Sequence, residues 1–157
     1  LTLPKEQIDQ GLNLKLHGYL RMSQLAIPYM KATQWGRIIN IAGGAGTNPN
    51  RQNIPISLAN IGVLNCTRAL SDAVSGDGIL VNAICPGLTN TQRARDVQRT
   101  EAAKQGRHIE EFINDLGEKL PAGRIAEPEE IADVVCFLAS ERCSYMFGNA
   151  IYMDGGA

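Results

Sequence analysis

Two runs decide the fold: Gly36-Arg37-Ile38-Ile39-Asn40-Ile41-Ala42, and further along Ile79-Leu80-Val81-Asn82-Ala83-Ile84-Cys85. Both are short, nearly continuous in apolar character and rich in β-branched residues. A strand with one wet face alternates apolar and polar; a strand covered on both faces does not, so both runs read as interior strands of a parallel sheet. Residues 56–75 lie between them and carry Ile56, Leu58, Ile61, Val63, Leu64, Leu70 and Val74, which is a helix apolar on more than one side. Such a helix is buried on two faces, within the domain or against another subunit. Strand, helix, strand requires a crossover connection and hence a parallel pair.

Working outward, residues 5–33 form a helix, with Ile8, Leu12, Leu16, Tyr19, Leu20, Ser23 and Ile27 recurring at three- and four-residue spacing. Gly43 to Pro55 is a loop by its Gly, Asn and Pro content, and Gly76-Asp77-Gly78 stops the second helix. Residues 91–119 are polar and helical, broken at Gly106 and Gly117, and read as a mobile insertion over a site. Glu127-Pro128-Glu129-Glu130 opens a helix that runs to about Ser140: Pro suits the first turn, and carboxylates suit the positive end of the helix dipole. Asn149-Ala150-Ile151-Tyr152-Met153 is a last strand. The expected fold is α/β, the last three strands and flanking helices of a doubly wound parallel sheet. Such a sheet has about six strands, so one edge of three is left open. A chain opening on Leu1, in a polar helix-forming stretch, reads as part of a longer one. Residues 1–157 alone are not expected to make a stable monomer.

The 157 residues are 44% apolar and 20% charged, which fits a globular fold and not a disordered one. A net charge of −1 without a basic block argues against nucleic acid or an anionic membrane as partner. No run of about 18 apolar residues could span a bilayer, and no signal-like region follows Leu1, which suits the cytoplasm. Cys66, Cys85, Cys136 and Cys143 form no C-x-x-C pair and read as buried free thiols. His17 and His108 lack metal-ligand spacing, so no metal is expected.

The motifs, in order, resemble the short-chain dehydrogenase/reductase family. Pro86-Gly87-Leu88-Thr89-Asn90-Thr91 is similar to its P-G-x-x-x-T element. Gly123-Arg124-Ile125-Ala126-Glu127-Pro128-Glu129-Glu130-Ile131-Ala132, Phe137-Leu138-Ala139-Ser140 and Asp154-Gly155-Gly156 resemble its C-terminal signature. Asn13-Leu14 resembles the family's helical Asn, and Gly36 to Ile41 its strand leading to a catalytic Ser. The resemblance covers almost the whole chain. It implies a Rossmann-like domain, a small carbonyl or alcohol substrate, and NAD or NADP as cofactor, held by a Gly-rich turn ahead of Leu1. Gly44-Ala45-Gly46 is not that turn, because the third glycine of G-x-G-x-x-G falls on Pro49. It also implies a homodimer or homotetramer formed through helices 5–33 and 56–75.

The family's chemistry uses a Tyr as proton donor, a Lys four residues later to lower the Tyr pKa and hold the nicotinamide ribose, a Ser to polarise the carbonyl, and an Asn to support a proton-relay water. Positions four apart share a helix face, so Tyr and Lys meet over the cofactor. Here Ile56 stands at the Tyr position, Asn60 at the Lys position and Gly43 at the Ser position. No Tyr lies between Tyr29 and Tyr145 and no Lys between Lys31 and Lys104, so a shifted Tyr-Lys pair cannot occur there.

What the resemblance leaves is Asn13 as a retained catalytic Asn, or an amide bonded to its own helix. Asn60 is a ribose contact or a satisfied buried amide. Pro86, Gly87, Leu88 and Thr91 are contacts to the nicotinamide carboxamide or a strand-ending turn. Ser57 and Thr47 are hydroxyls near the site with no base beside them. Two functions remain open: an NAD(P)-dependent oxidoreductase with a degenerate active site, or a non-catalytic nucleotide-binding or structural protein of the same fold.

Overall fold

The computed structural model describes residues 3–49 and 53–157. The chain enters through α1 (Lys5–Gly11), a π-helical turn (Leu12–His17) and α2 (Gly18–Thr33), and β1 (Gly36–Ile41) follows. Next come α3 (Ile54–Val74), β2 (Ile79–Pro86), α4 (Gln92–Lys104), α5 (Ile109–Glu118), α6 (Pro128–Ala139) and β3 (Ala150–Met153). The strands lie in the order β1-β2-β3, all parallel, with Ile38 beside Val81 and Ile84 beside Ile151. Among the described residues β1 has no second neighbour.

Continuous burial along β2 bears out its reading as an interior strand: Ile79 to Cys85 are all buried. One layer packs Leu80 and Ile84 against Leu138 and Cys143, with Ile131, Val134 and Val135 of α6 around them. On the other face Ala42, Val63 and Cys85 meet Leu16, Tyr19 and Leu64, while Val74, Ile79 and Val81 meet Ile27, Met30 and Leu70. The helices therefore cover both faces of the sheet, a doubly wound arrangement.

Four local expectations need correction. The helix over 5–33 is not uniform, because the π-helical turn interrupts it. Such a turn accommodates an extra residue and shifts the facing of what precedes it, and π-bulges recur at functional sites. Gly117 does not break a helix. It lies buried in the last turn of α5, where a Cβ would come within 2.8 Å of the Arg124 Cα, so close backbone approach explains it. Cys136 is exposed, because the face of α6 toward the sheet is taken by Ile131, Val134, Val135 and Leu138. The 91–119 segment is not merely polar: α4 and α5 bury Ala102, Phe112 and Ile113 and are joined by Arg95–Glu110 and Arg107–Asp115 ion pairs. Residues 50–52 of the loop before α3 lie outside the described residues.

The start of α6 explains its sequence signature. Glu127 and Glu130 form a capping box, and the two terminal guanidinium nitrogens of Arg124, Nη1 and Nη2, reach Glu130 at 2.7 Å. Arg124, and then the Glu127 N–H, hold the Glu130 carboxyl down at about 2, against an ordinary value of 4.5. A depressed carboxyl stabilises the fold above its unfolded pKa, and that contribution is lost as pH falls from about 4.5 through about 2. In Arg124→Gln the Glu130 carboxyl should titrate back toward the ordinary glutamate range, which carboxyl-carbon NMR would follow. An unchanged titration would show that the cap alone holds it.

Candidate active site

The site is built where β1 and β2 end. In open parallel α/β sheets, ligands bind outside the carboxyl ends of the strands. Ala42 continues the pairing by donating to the Ile84 carbonyl at 2.8 Å. The chain then turns through Gly43 and a short 3-10 turn, Gly44–Gly46, against α3. That turn sits close on the helix: a Cβ at Gly46 would be 3.1 Å from the Ile61 nitrogen.

On the other side Pro86 to Thr91 leave β2. The Gly87 N–H donates to the Met153 carbonyl at 2.9 Å, and a Cβ at Gly87 would stand 2.6 Å from the Asp154 Cα. No side chain fits between these two backbones, which is why glycine occupies the position. Thr91 caps α4, its hydroxyl accepting from the Ala94 N–H at 3.2 Å. Between the two turns opens a cleft of about 600 Å³, lined among others by Gly44, Thr47, Asn53, Pro86, Leu88 and Asp154.

Ile56 lies in the first turn of α3 with 52% of its surface exposed. Asn60, one turn on, is 3% exposed. Gly43 is beside it: a Cβ there would lie 3.2 Å from the Asn60 Nδ2. The structure therefore brings together the positions read as Ser and Lys equivalents, with glycine leaving the space that the Asn60 amide uses. Ser57 is buried and its hydroxyl has no partner among the described residues. Thr47 is exposed and donates to the Gly44 carbonyl at 3.3 Å.

Asn13 is not brought to this site. It is exposed, and Arg21 of the same helix donates to both its side-chain and backbone oxygens, at 3.2 and 3.1 Å. The residue that reaches in from the π-helical turn is Lys15, which sequence reasoning missed. Its Nζ donates to the Asn60 Oδ1 at 2.5 Å and to the Ala42 carbonyl at 2.9 Å. The signal was present: Lys15 lies four residues before Tyr19 and eight before Ser23, on the stripe that faces the sheet. A cation in such a stripe is either expensive or employed.

The surroundings are dry. Burial lowers the Lys15 ammonium below the ordinary lysine value. Burial pushes the Cys85 thiol up, so it remains protonated at neutral pH and is no nucleophile. Burial likewise raises the Tyr19 phenol, which donates to the Ile41 carbonyl at 3.1 Å.

This geometry defines a doubly wound, Rossmann-like α/β domain with a cleft at the carboxyl ends of its strands. A family model described as enoyl-(acyl carrier protein) reductase matches residues 1–157. The chain belongs to the short-chain dehydrogenase/reductase family. It is 32% identical over 158 residues to a 3-oxoacyl-(acyl-carrier-protein) reductase of Thermotoga maritima, covering 99% of this chain and 59% of that protein. It is 32% identical to a D-beta-hydroxybutyrate dehydrogenase of Cupriavidus necator, covering 98% of this chain and 60% of that protein. The L-sorbose reductase of Gluconobacter frateurii, solved with NADPH and L-sorbose, superposes with a TM-score of 0.93 at 27% identity, over 98% of this chain and 59% of that one. The chain thus spans about three-fifths of the length of these relatives.

Among the described residues no helix is long and apolar enough to cross a membrane, and no three His, Cys, Asp or Glu side chains group as metal ligands.

Proposed function

We propose that this chain is the substrate-side part of an NAD(P)-dependent oxidoreductase whose proton-transfer machinery has been lost, so that it binds a dinucleotide and performs little ordinary carbonyl reduction. The observation that carries this is the apolar Ile56 and bare Gly43 flanking a cleft whose backbone frame matches reductases. The cleft fits the nicotinamide end of the cofactor, because Pro86 to Leu88 line one wall and the Gly44 turn lines the other. The bound cofactor supplies hydride chemistry. The protein's own groups position it and exclude water. Ile56 has no proton to give, and loss of a positioned acid removes about 10²–10⁴ in rate.

The test uses the complete polypeptide. NADH and NADPH fluorescence titrations should show saturable binding. Cofactor oxidation over a panel of 3-oxoacyl thioesters and ketoses should run at least about 10²-fold slower than in a reductase relative assayed alongside. Turnover at the relative's rate would defeat the reading. Binding with no turnover on any carbonyl would favour the second reading, a nucleotide-binding pseudoenzyme, which the same Ile56 and Gly43 support. In either case α4 and α5 are proposed to cover the substrate end of the cleft.

The chain is also proposed to assemble as a homodimer or homotetramer through α1–α2 and α3. Leu14, Met22, Leu25 and Tyr29 are 66–81% exposed, and Ile56, Leu58 and Ile61 are 44–52% exposed. Leu16 and Leu64 are unsuitable probes, since both pack on the Val63 core within the chain. Leu25→Glu with Ile61→Glu should lower the sedimentation mass to that of a monomer. An unchanged mass would place the interface elsewhere.

A further inference from the structure

The family's missing lysine leaves position 60 without a charge, yet a charge is present at that spot. Lys15 reaches Asn60 from the opposite helix, and the pair occupies the end of β1 beside Gly43 and Cys85. We infer that Lys15 is the ligand-facing cation of this site, held in place by Asn60 and the Ala42 carbonyl, and that it binds the nicotinamide-ribose hydroxyls of the dinucleotide. This rests on the cofactor reading above.

The geometry separates the two roles. Asn60 is almost fully buried and its amide oxygen is committed to Lys15, so it is the positioning residue. An ammonium has three N–H donors; two go to Asn60 and Ala42, which leaves one for a ligand. Lys15 is only partly buried. Two fixed bonds on a flexible side chain are also what preorganisation requires. Lys15 lies in the π-helical turn, and Asn13, two residues earlier, faces out. The cation that the resemblance leads one to expect on α3 is here supplied from the helix before β1, opposite the Asn60 amide. Gly43 belongs to the same rearrangement, because a side chain there would press on the Asn60 amide.

The experiment is a double-mutant cycle in the complete polypeptide, read as NADH and NADPH affinity by fluorescence. Lys15→Asn leaves two amides and no cation, and should weaken binding about tenfold or more, as expected for one lost hydrogen bond from a charged donor. Asn60→Lys sets two cations side by side and should weaken it similarly. The doubly exchanged Lys15→Asn/Asn60→Lys protein should regain parental affinity to within about threefold.

A second readout does not depend on any variant folding: the Lys15 Cε and Nζ NMR signals of the parent should shift on cofactor addition. Parental binding should also fall as pH rises through the Lys15 ammonium's lowered pKa, and should not do so in Lys15→Asn. The titratable groups around Lys15 are Cys85 on β2, Tyr19 on its own helix and, beyond Cys85, Asp154 after β3. The first two are protonated at neutral pH, having been raised by burial. Unchanged affinity in Lys15→Asn, or Lys15 signals that ignore the cofactor, would overturn the inference and leave the cofactor reading standing. A parent that binds neither nucleotide would overturn both.

Discussion

Lys15→Asn, Gly43→Ser, Ile56→Tyr and Asn60→Lys, made together in the complete polypeptide, are expected to raise carbonyl reduction about 10²-fold or more over the parent. A positioned acid supplies about that much at its low end. Ile56 is half-exposed at the mouth of α3, so a tyrosine enters without overpacking the core. Tyrosine alone would keep a pKa near about 10 and donate poorly at neutral pH. It needs the cation one helical turn on, which Asn60→Lys provides. Lys15 cannot stay, because its ammonium already bonds the Asn60 amide and would then face a second ammonium. Like charges in a partly desolvated site repel strongly. Once Asn60 is a lysine, the amide that a serine at position 43 would crowd is gone. Loss of NADPH absorbance with a 3-oxoacyl thioester or a ketose would follow the gain. A fourfold variant that binds cofactor and remains inert on every carbonyl would show that the pocket itself has changed. If the three family changes work equally well with Lys15 in place, the two cations do not meet.

Asn82→Ala is expected to cost about 2–6 kcal/mol of unfolding free energy, from two orphaned backbone groups at about 1–3 kcal/mol each. Asn82 is 1% exposed in the middle of β2. Its Nδ2 donates to the Met146 carbonyl at 2.8 Å, and its Oδ1 accepts from the Asn149 N–H at 2.9 Å. The same loop is laced to β2 by Gly148 N–H to Val81 O and Ala83 N–H to Asn149 O, at 2.9 and 2.8 Å. That lacing sets the approach of β3, and β3 in turn places Met153 and Asp154 against Gly87 at the cleft. An alanine would loosen both the core layer under α6 and one wall of the site. Urea unfolding of the complete polypeptide gives the stability change as a shift in midpoint. A loss below about 1 kcal/mol would mean that water takes over both bonds, and that the loop is held by its remaining backbone bonds alone.

The layered α/β order was legible because its signal is local. Ile79 to Cys85 is apolar at every step, and only burial on two faces tolerates that. Glu127-Pro128-Glu129-Glu130 names its own helix start, and the structure supplies the bonds that make it one. The absence of Tyr and Lys from α3 is likewise a plain fact of the chain, independent of any geometry.

What the chain order could not disclose is which helix serves the site. Asn13 and Lys15 are two residues apart, and the spacing that puts Lys15 on the sheet-facing stripe does not say which groups it meets there. The π-helical turn, and the carbonyl at the end of β1 that receives Lys15, exist only once helix and sheet have docked. Leu16 reads as an apolar position that could face a partner, and docking turns it onto Gly62, where a Cβ would sit 2.9 Å from its side chain. Gly117 reads as a breaker and is a contact point between backbones. In each case the deciding quantity is a distance between residues far apart in sequence. Periodicity constrains which face a side chain occupies, and only tertiary packing selects what that face meets.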